Sequence, residues 1–385
     1  MPSLKRVAII VSSPVTVKAF LTDHIAALSR IYQVSVVANI QGDRNPAQFG
    51  PGVSFIDAPI VRDISVTGDL RGLLFLINLF AREKFDAVHS ITPKAGLLAA
   101  LAGAITRTPV RIHTFTGQVW ATRHGFARLV LKALDKVTAN LTTHVLVDSP
   151  SQRDFLVREG VLSEGKSRVL ANGSICGVDT ARFRPDAEWK KEIRQRHGIP
   201  DHAVVFLFVG RLKADKGVLD LAQAFSRLKG NGDEAWLLIV GPDEEGLQPR
   251  MESLCHAVAS RLRFAGHTDA PQEYMAAADV FCLPSYREGF GSVIIEAASA
   301  GIPAIASEIY GITDAIEPGF TGLLHPPGNA DALQSRIQQL ADDPQLREVL
   351  GGQARLRAHR RFAKEQVTAA LIEFYTSVVG RQPVN

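Results

Sequence analysis

Glu288-Gly289-Phe290-Gly291-Ser292-Val293-Ile294-Ile295-Glu296 sets two carboxylates eight residues apart across a glycine-bearing turn. The apolar run Val280-Phe281-Cys282-Leu283 precedes it, and the pattern predicts a buried strand feeding through the turn into a helix over Val293–Ala300. Gly301 and Pro303 stop that helix, glycine by taking a left-handed cap and proline because it cannot continue the ladder. Glu288 then stands on the loop, and Glu296 lies one or two turns into the helix. Between them the helix N-terminus aims backbone N–H groups outward, where its dipole favours an anion. Such a site holds a diphosphate on its amides and hydroxyl-rich groups on its carboxylates, which is the shape of a sugar nucleotide. The same spacing is also that of an ordinary turn followed by a solvated helix glutamate.

A second element upstream shifts the balance. Apolar Val204–Val209 runs into Gly210-Arg211-Leu212-Lys213-Ala214-Asp215-Lys216-Gly217 and then a predicted helix, Val218–Leu228. Arg211 and Lys216 would share one strand-to-helix loop, the place where open α/β sheets bind ligands. Arginine suits bidentate contact with phosphate, and lysine supplies a mobile point charge. Basic loops are often merely solvated, but two cations and two carboxylates on equivalently placed loops are harder to dismiss.

Strand-like runs recur through both halves. They are Val7–Val11, Val34–Ala38, Val53–Ile56, Ala87–Ser90, Val110–His113, His144–Val147 and Arg168–Ala171, then Val204–Val209, Ala235–Val240, Leu262–Ala265, Val280–Leu283, Pro303–Ala306 and Gly322–Leu324. Short, β-branched and separated by helical stretches, they predict an α/β protein of two Rossmann-like, doubly wound domains. A chain of 385 residues exceeds what one core usually serves. The boundary is expected near Asp179–Trp189, giving domains over 1–180 and 181–363. The three cysteines, Cys176, Cys255 and Cys282, form no C-x-x-C pair, which argues against a disulfide framework or structural zinc and suits a reducing cytoplasm. The leading segment from Met1 carries a five-residue apolar run ended by Ser12-Ser13, and reads as a first strand and not a signal peptide.

Gly210-Arg211-Leu212 with Lys216-Gly217, followed by Glu288-Gly289-Phe290-Gly291 and Glu296-Ala297, resembles the retaining glycosyltransferases of family 4, which have the GT-B fold. The likeness extends to Val240-Gly241-Pro242, Phe264-Ala265-Gly266-His267, Ala278-Asp279-Val280 and Gly322-Leu323-Leu324-His325-Pro326. In the first half, Thr92–Gly96, His113–Gly117 and Asn172–Asp179 resemble members that build capsule, O-antigen and lipid-linked saccharides in bacteria. The resemblance implies two Rossmann-like domains facing across a cleft. The first would bind acceptor and the second a nucleotide-diphosphate sugar, with a last helix (about Lys364–Val379, within 364–385) packing back on the first. It also implies roles. Arg211 and Lys216 would neutralise the leaving diphosphate, Glu288 would meet the donor sugar and Glu296 the ribose. Backbone at Gly289, Phe290 and Gly291 would approach sugar or phosphate, the region of Phe264 and His267 would meet the base, and His113 would lie near the transferred sugar. A lone histidine at a strand end is more often a structural hydrogen-bonder; Lys94 and Arg123 are looser acceptor-side candidates. The Ser12–Thr16 loop departs from the paired glycines that many members carry there.

No Asp-x-Asp triplet occurs, so neither a metal nor another cofactor is expected, with UDP the default donor base and undecaprenyl-diphosphate-linked saccharide the expected acceptor. Charge points to a surface: residues 1–180 carry 20 Lys+Arg against 13 Asp+Glu, a balance of +7, while 181–385 carry 23 against 26, a balance of −3. No nucleic-acid-binding motif accompanies the excess, so a membrane surface is the expected anionic partner. Arg123–Val137 presents Arg128, Lys132 and Lys136 as one predicted basic stripe beside Phe126, Leu129, Val130, Leu134 and Val137. Leu73–Ala81 is apolar but far below the roughly 20 residues that span a bilayer. A peripheral location on the inner face of the cytoplasmic membrane follows as an expectation. Two rival readings are a GT-B sugar-nucleotide epimerase or phosphorylase, and a non-catalytic sugar-nucleotide or lipid-binding subunit.

Overall fold

Parallel strands buried on both faces must be apolar nearly throughout, and the runs read from the sequence meet that demand. The computed structural model describes residues 4–40, 52–61, 65–229 and 234–380; Met1–Ser3 of the predicted leading segment and 381–385 of the predicted last segment lie outside them. Strands β1 (Arg6–Ile10), β2 (Gln33–Ala38), β3 (Val53–Asp57), β4 (Ala87–Ile91), β5 (Val110–Phe115), β6 (His144–Val147) and β7 (Ser167–Val169) form one sheet in the order β3-β2-β1-β4-β5-β6-β7. Strands β8 (Val204–Val209), β9 (Ala235–Val240), β10 (Leu262–Gly266), β11 (Val280–Leu283), β12 (Ala304–Ser307) and β13 (Gly322–His325) form a second, β10-β9-β8-β11-β12-β13. Neighbours pair in parallel throughout, as in β1 with β4 and β8 with β11. The strand order reverses between β1 and β4 in the first sheet and between β8 and β11 in the second. These are the topological switch points where doubly wound sheets open a crevice at their carboxyl ends.

The chain divides into two compact units, Met1–Cys176 with Lys364–Asn385, and Gly177–Ala363. In the first, helix Lys364–Val378 lays Leu371, Phe374 and Tyr375 into a core with Val7, Ile9 and Tyr32. Its polar side is tied as well: the Tyr375 hydroxyl lies 2.7 Å from His89 Nδ1, and Thr368 Oγ1 lies 2.9 Å from His24 Nδ1. In the second unit, Val205, Phe206, Leu207 and Phe208 of β8 lie at the centre of a single large core. There Asp279 accepts from Val205 N at 2.8 Å and pairs at 2.7 Å with Arg194, a guanidinium only 1% exposed. The Ala278-Asp279-Val280 motif therefore braces β8.

Two local expectations change. The strand expected over Arg168–Ala171 ends at Val169, because Ala171 turns to φ +48° and leaves the extended conformation. The helix expected over Val218–Leu228 stops at Phe225, although Leu228 remains buried.

Helix Gly125–Leu141 corrects the predicted basic stripe. Arg128 and Lys132 do not solvate an outer face: they pair with Glu159 at 2.9 and 2.7 Å, and both lie over the Trp120 ring. Asp135, buried on the same side, accepts from Trp120 Nε1 at 2.7 Å. Arg128, Lys132 and Asp135 turn inward while a row of apolar residues turns out, with Phe126 80% and Leu129 64% exposed and Val130, Leu134 and Val137 also exposed. A helix built this way shows solvent the face that amphipathic helices normally bury. The Leu73–Ala81 run lies inside helix Val66–Glu83, which also exposes Val66, Leu70 and Leu74. Among the described residues no helix is long and apolar enough to cross a membrane.

Candidate active site

Of the polar residues that the sequence singled out, the crevice between β8 and β11 brings Lys216 and Glu288 together. After β8 the chain turns through the single helical turn Ala214–Lys216 to Gly217, whose φ is +67°. A Cβ on Gly217 would sit 2.0 Å from the Pro284 carbonyl oxygen, so only glycine lets this loop close on the one after β11. Backbone and side chains then stitch the two loops. Tyr286 N donates to Asp215 O at 2.9 Å, and Arg287 pairs with Asp215 at 2.7 Å. Lys216 Nζ reaches Glu288 Oε1 at 2.6 Å, and Ser285 Oγ donates to the same oxygen at 2.8 Å. The Lys216 and Glu288 side chains are 19% and 15% exposed, so this is a largely desolvated ion pair at the switch point.

The glycine turn is built for close approach. Gly291 caps helix Ser292–Ser299 at φ +75°, and no side chain caps this N-terminus. A Cβ on Gly311 would lie 2.4 Å from the Gly289 oxygen, so a second glycine brings another backbone segment against the turn. Phe290 is buried edge-on to Phe362 with ring centres 5.2 Å apart, and anchors the turn by its side chain. Glu296, in the second turn of the helix, is mostly buried and has no hydrogen-bond partner for its carboxylate among the described residues. Burial pushes its pKa up to about 7, partly offset by the nearby Arg182 charge. A desolvated carboxylate without a partner stabilises a ligand that brings hydroxyl donors.

Arg211 is not beside Glu288. Its Nη1 lies 3.1 Å from Glu244 Oε2, on the loop after β9. That loop is held to the β8 loop by the backbone: Leu212 N donates to Pro242 O at 2.9 Å, and a Cβ on Gly241 would meet Gly210 O at 1.9 Å. Gly241 N in turn donates to Gly266 O at 2.7 Å, which sets the end of β10 alongside. Phe264 is half-buried there, and His267 is exposed beyond it, 3.5 Å from Asp269. Glu244, Glu245, Ser285 and Arg287 were not singled out from the sequence, and Asp215 stood in the β8-loop motif without a role. The acid run Asp243-Glu244-Glu245 directly after a strand-ending Gly241-Pro242 was the available signal for the first two.

In the first unit His113 lies on β5, 1% exposed, with Nδ1 3.0 Å from Ser90 Oγ and its ring edge-on to Phe115. A Cβ on Gly96 would fall 2.3 Å from His113 Cε1, so the imidazole packs flush on the first turns of helix Pro93–Ile105. Burial lowers its pKa to about 4, leaving it neutral at neutral pH. At the switch point of this sheet Ser12 Oγ and Thr92 Oγ1 lie 3.2 Å apart, and Thr92 takes φ +79°, a rare conformation for a β-branched residue. Lys94 pairs with Asp69 at 2.7 Å, whereas Arg123 is exposed.

Two parallel, doubly wound units with the polar residues at a switch point define a GT-B glycosyltransferase architecture. Family models agree over both units: that described as glycosyl transferases group 1 matches residues 190–357, and that of the glycosyl transferase 4-like domain matches 18–173. The chain belongs to this glycosyltransferase family. It is 32% identical over 320 residues to the capsular polysaccharide biosynthesis glycosyltransferase CapM of Staphylococcus aureus, covering 83% of this chain and 84% of the relative. It is 28% identical to the UDP-Gal:alpha-D-GlcNAc-diphosphoundecaprenol alpha-1,3-galactosyltransferase of Escherichia coli, covering 76% of each. Its fold matches that of Anabaena Alr3699/HepE in complex with UDP and glucose, with a TM-score of 0.80 at 21% identity over 97% of this chain and 100% of the other.

Proposed function

We propose that the protein transfers a hexosyl group, with retention at the anomeric carbon, from a UDP-sugar to an undecaprenyl-diphosphate-linked saccharide in cell-surface polysaccharide synthesis. The observation that carries this is the part-buried Lys216–Glu288 pair at the second switch point, with Arg211 on the same loop as Lys216 and Glu296 in the helix that follows the Glu288 turn. Cations there would stabilise the charge that gathers on the diphosphate as its bond to the sugar breaks, the role preorganised donors play wherever oxyanions develop. The glycosidic bond to the diphosphate breaks while the acceptor hydroxyl oxygen bonds to the same face of the anomeric carbon. Its proton passes to the departing phosphate oxygen, so no enzyme nucleophile is needed. Glu288, already accepting from Lys216 and Ser285, is suited to hold donor hydroxyls, and Glu296 to hold the ribose. His113, neutral and buried, is suited to hydrogen-bond a sugar hydroxyl from the acceptor unit. The reaction is proposed to need no metal.

The donor base follows the UDP complexes of the structural neighbour, and the acceptor follows the lipid-linked substrate in the Escherichia coli relative's name. A peripheral site on the inner membrane face is part of the same reading. Its support is the outward apolar face of helix Gly125–Leu141 beside the exposed Arg123, His124 and Lys136. Melting curves against UDP, GDP, ADP, dTDP and CMP test the donor site, because a ligand that binds only the folded state raises the midpoint. A shift with UDP that survives EDTA, followed by transfer to a lipid-linked acceptor, is expected. No shift with any nucleotide, or donor turnover without acceptor, would replace this reading with the binding-subunit or epimerase alternative.

A further inference from the structure

The cations of the β8 loop are already holding anions. Arg211 Nη1 lies 3.1 and 3.4 Å from the two oxygens of Glu244. Lys213 Nζ lies 3.3 Å from Glu244 Oε2 and 3.6 Å from Glu245 Oε1. The backbone N–H of Ala214, which opens the turn Ala214–Lys216, donates to Glu245 Oε2 at 2.9 Å. A guanidinium, an ammonium and a backbone N–H converging on one point make a donor set suited to the oxygens of a diphosphate. Here two neighbouring carboxylates fill it.

The arrangement is set by backbone, not by chance meeting of long side chains. Leu212 and Asp243 form a parallel bridge, and Gly210 and Gly241 approach so closely that a Cβ on Gly241 would meet the Gly210 carbonyl oxygen, so the two loops lie side by side. Asp243 is consumed in shaping the loop, since its carboxylate accepts from Leu247 N and Gln248 N at 2.9 Å each. Glu244 and Glu245 are the two acids of the run that reach the cations. Their side chains are 33% and 40% exposed, so each pair is weak and exchanges easily with another anion.

We propose that Glu244 and Glu245 are a built-in surrogate for the donor diphosphate, which keeps Arg211, Lys213 and Ala214 N–H in position between turnovers and is displaced when a nucleoside diphosphate binds. The inference rests on reading the Gly210–Gly217 loop as the donor-diphosphate site. Two consequences follow. The surrogate lowers affinity for every ligand that carries a diphosphate, and it helps expel the nucleoside diphosphate product as the carboxylates return.

Calorimetric titration of the full chain with UDP, UMP and uridine tests this, with GDP, ADP and dTDP in turn for UDP. Glu244→Gln with Glu245→Gln should tighten the diphosphate by about three- to tenfold, change the monophosphate less and leave the nucleoside unaffected. Product inhibition by the same diphosphate should strengthen in parallel. Glu252→Gln, an exposed acid on the following helix, alters net charge without touching the loop and should leave affinity unchanged. Weaker or unchanged diphosphate binding in the double variant would overturn the proposal, the former by making the glutamates supports for Arg211. An equal gain from Glu252→Gln would overturn it in favour of a general charge effect. Failure of the unaltered protein to bind any nucleoside diphosphate is a separate result, and would remove the donor-site reading itself.

Discussion

Lys216 and Glu288 were legible as separate motif residues, one basic and one acidic; that they are a single ion pair was not. Pairing across two loops depends on Gly217 meeting Pro284, a contact that no spacing rule encodes. Lys216→Ala should lower kcat/KM by about 10²- to 10³-fold, the usual cost of removing a donor to developing charge, while the melting temperature moves little. Steady-state kinetics beside a melting curve checks both. Glu296 makes a pH prediction. Its folded pKa of about 7 lies above the ordinary carboxylate value, so the folded chain holds its proton more tightly than the unfolded chain does. That preference stabilises the unliganded protein fully below the ordinary carboxylate pKa and is lost as pH rises through about 7. Glu296→Gln should therefore raise the melting temperature at pH 8 more than at pH 5. It should also weaken nucleotide binding by roughly ten- to hundredfold, through the lost charged acceptor. A variant with the same pH profile as the parent would sink the assignment of the shift to Glu296.

At the scale of elements, the strand–loop–helix units were readable because buried parallel strands carry a strong apolar signature. The helices were less so, because amphipathic periodicity gives the apolar face but not which way it points. Helix Gly125–Leu141 shows the difference: its stripe is real, yet Glu159 and Trp120 draw the polar side inward. The proposed membrane contact predicts that replacing Phe126 and Leu129 by Glu abolishes co-sedimentation with vesicles of anionic lipid and spares the melting temperature, since both side chains face solvent. Loss of folding instead would mean that the face packs within the protein. The turn before helix Ser292–Ser299 gives a second test. Gly311→Ala drives a Cβ into the Gly289 carbonyl at a backbone φ of +83°, so the turn must shift. We expect a cost of roughly 1–3 kcal/mol in stability and a loss of nucleotide binding. Denaturant unfolding and calorimetry report the two effects separately.

Across the whole molecule, the C-terminal helix is stitched into the first unit by Tyr375, Thr368, Leu371 and Phe374, whose partners there include His89, His24, Val7 and Tyr32, all remote in sequence. Removing one hydroxyl leaves a buried imidazole nitrogen without its partner, so Tyr375→Phe should cost about 1–3 kcal/mol, visible in the denaturation midpoint. The same region sets acid sensitivity. Burial holds His89 at about 3 and His113 at about 4 and lowers His24, so the folded chain binds fewer protons than the unfolded one. Stability from these groups is present above the ordinary imidazole pKa and lost as pH falls from about 6.5 toward 4. Melting temperatures over that range should drop, and His89→Gln should flatten the slope. The sequence by itself determined the strand pattern, the α/β class and the two motif loops, because continuous apolar runs and glycine chemistry act within a few residues of chain. Tertiary structure decided which charges meet: Lys216 with Glu288, Arg211 with Glu244, Arg128 and Lys132 with Glu159. Those pairings depend on strand order and loop approach over long separations, where local pattern carries no record of the partner.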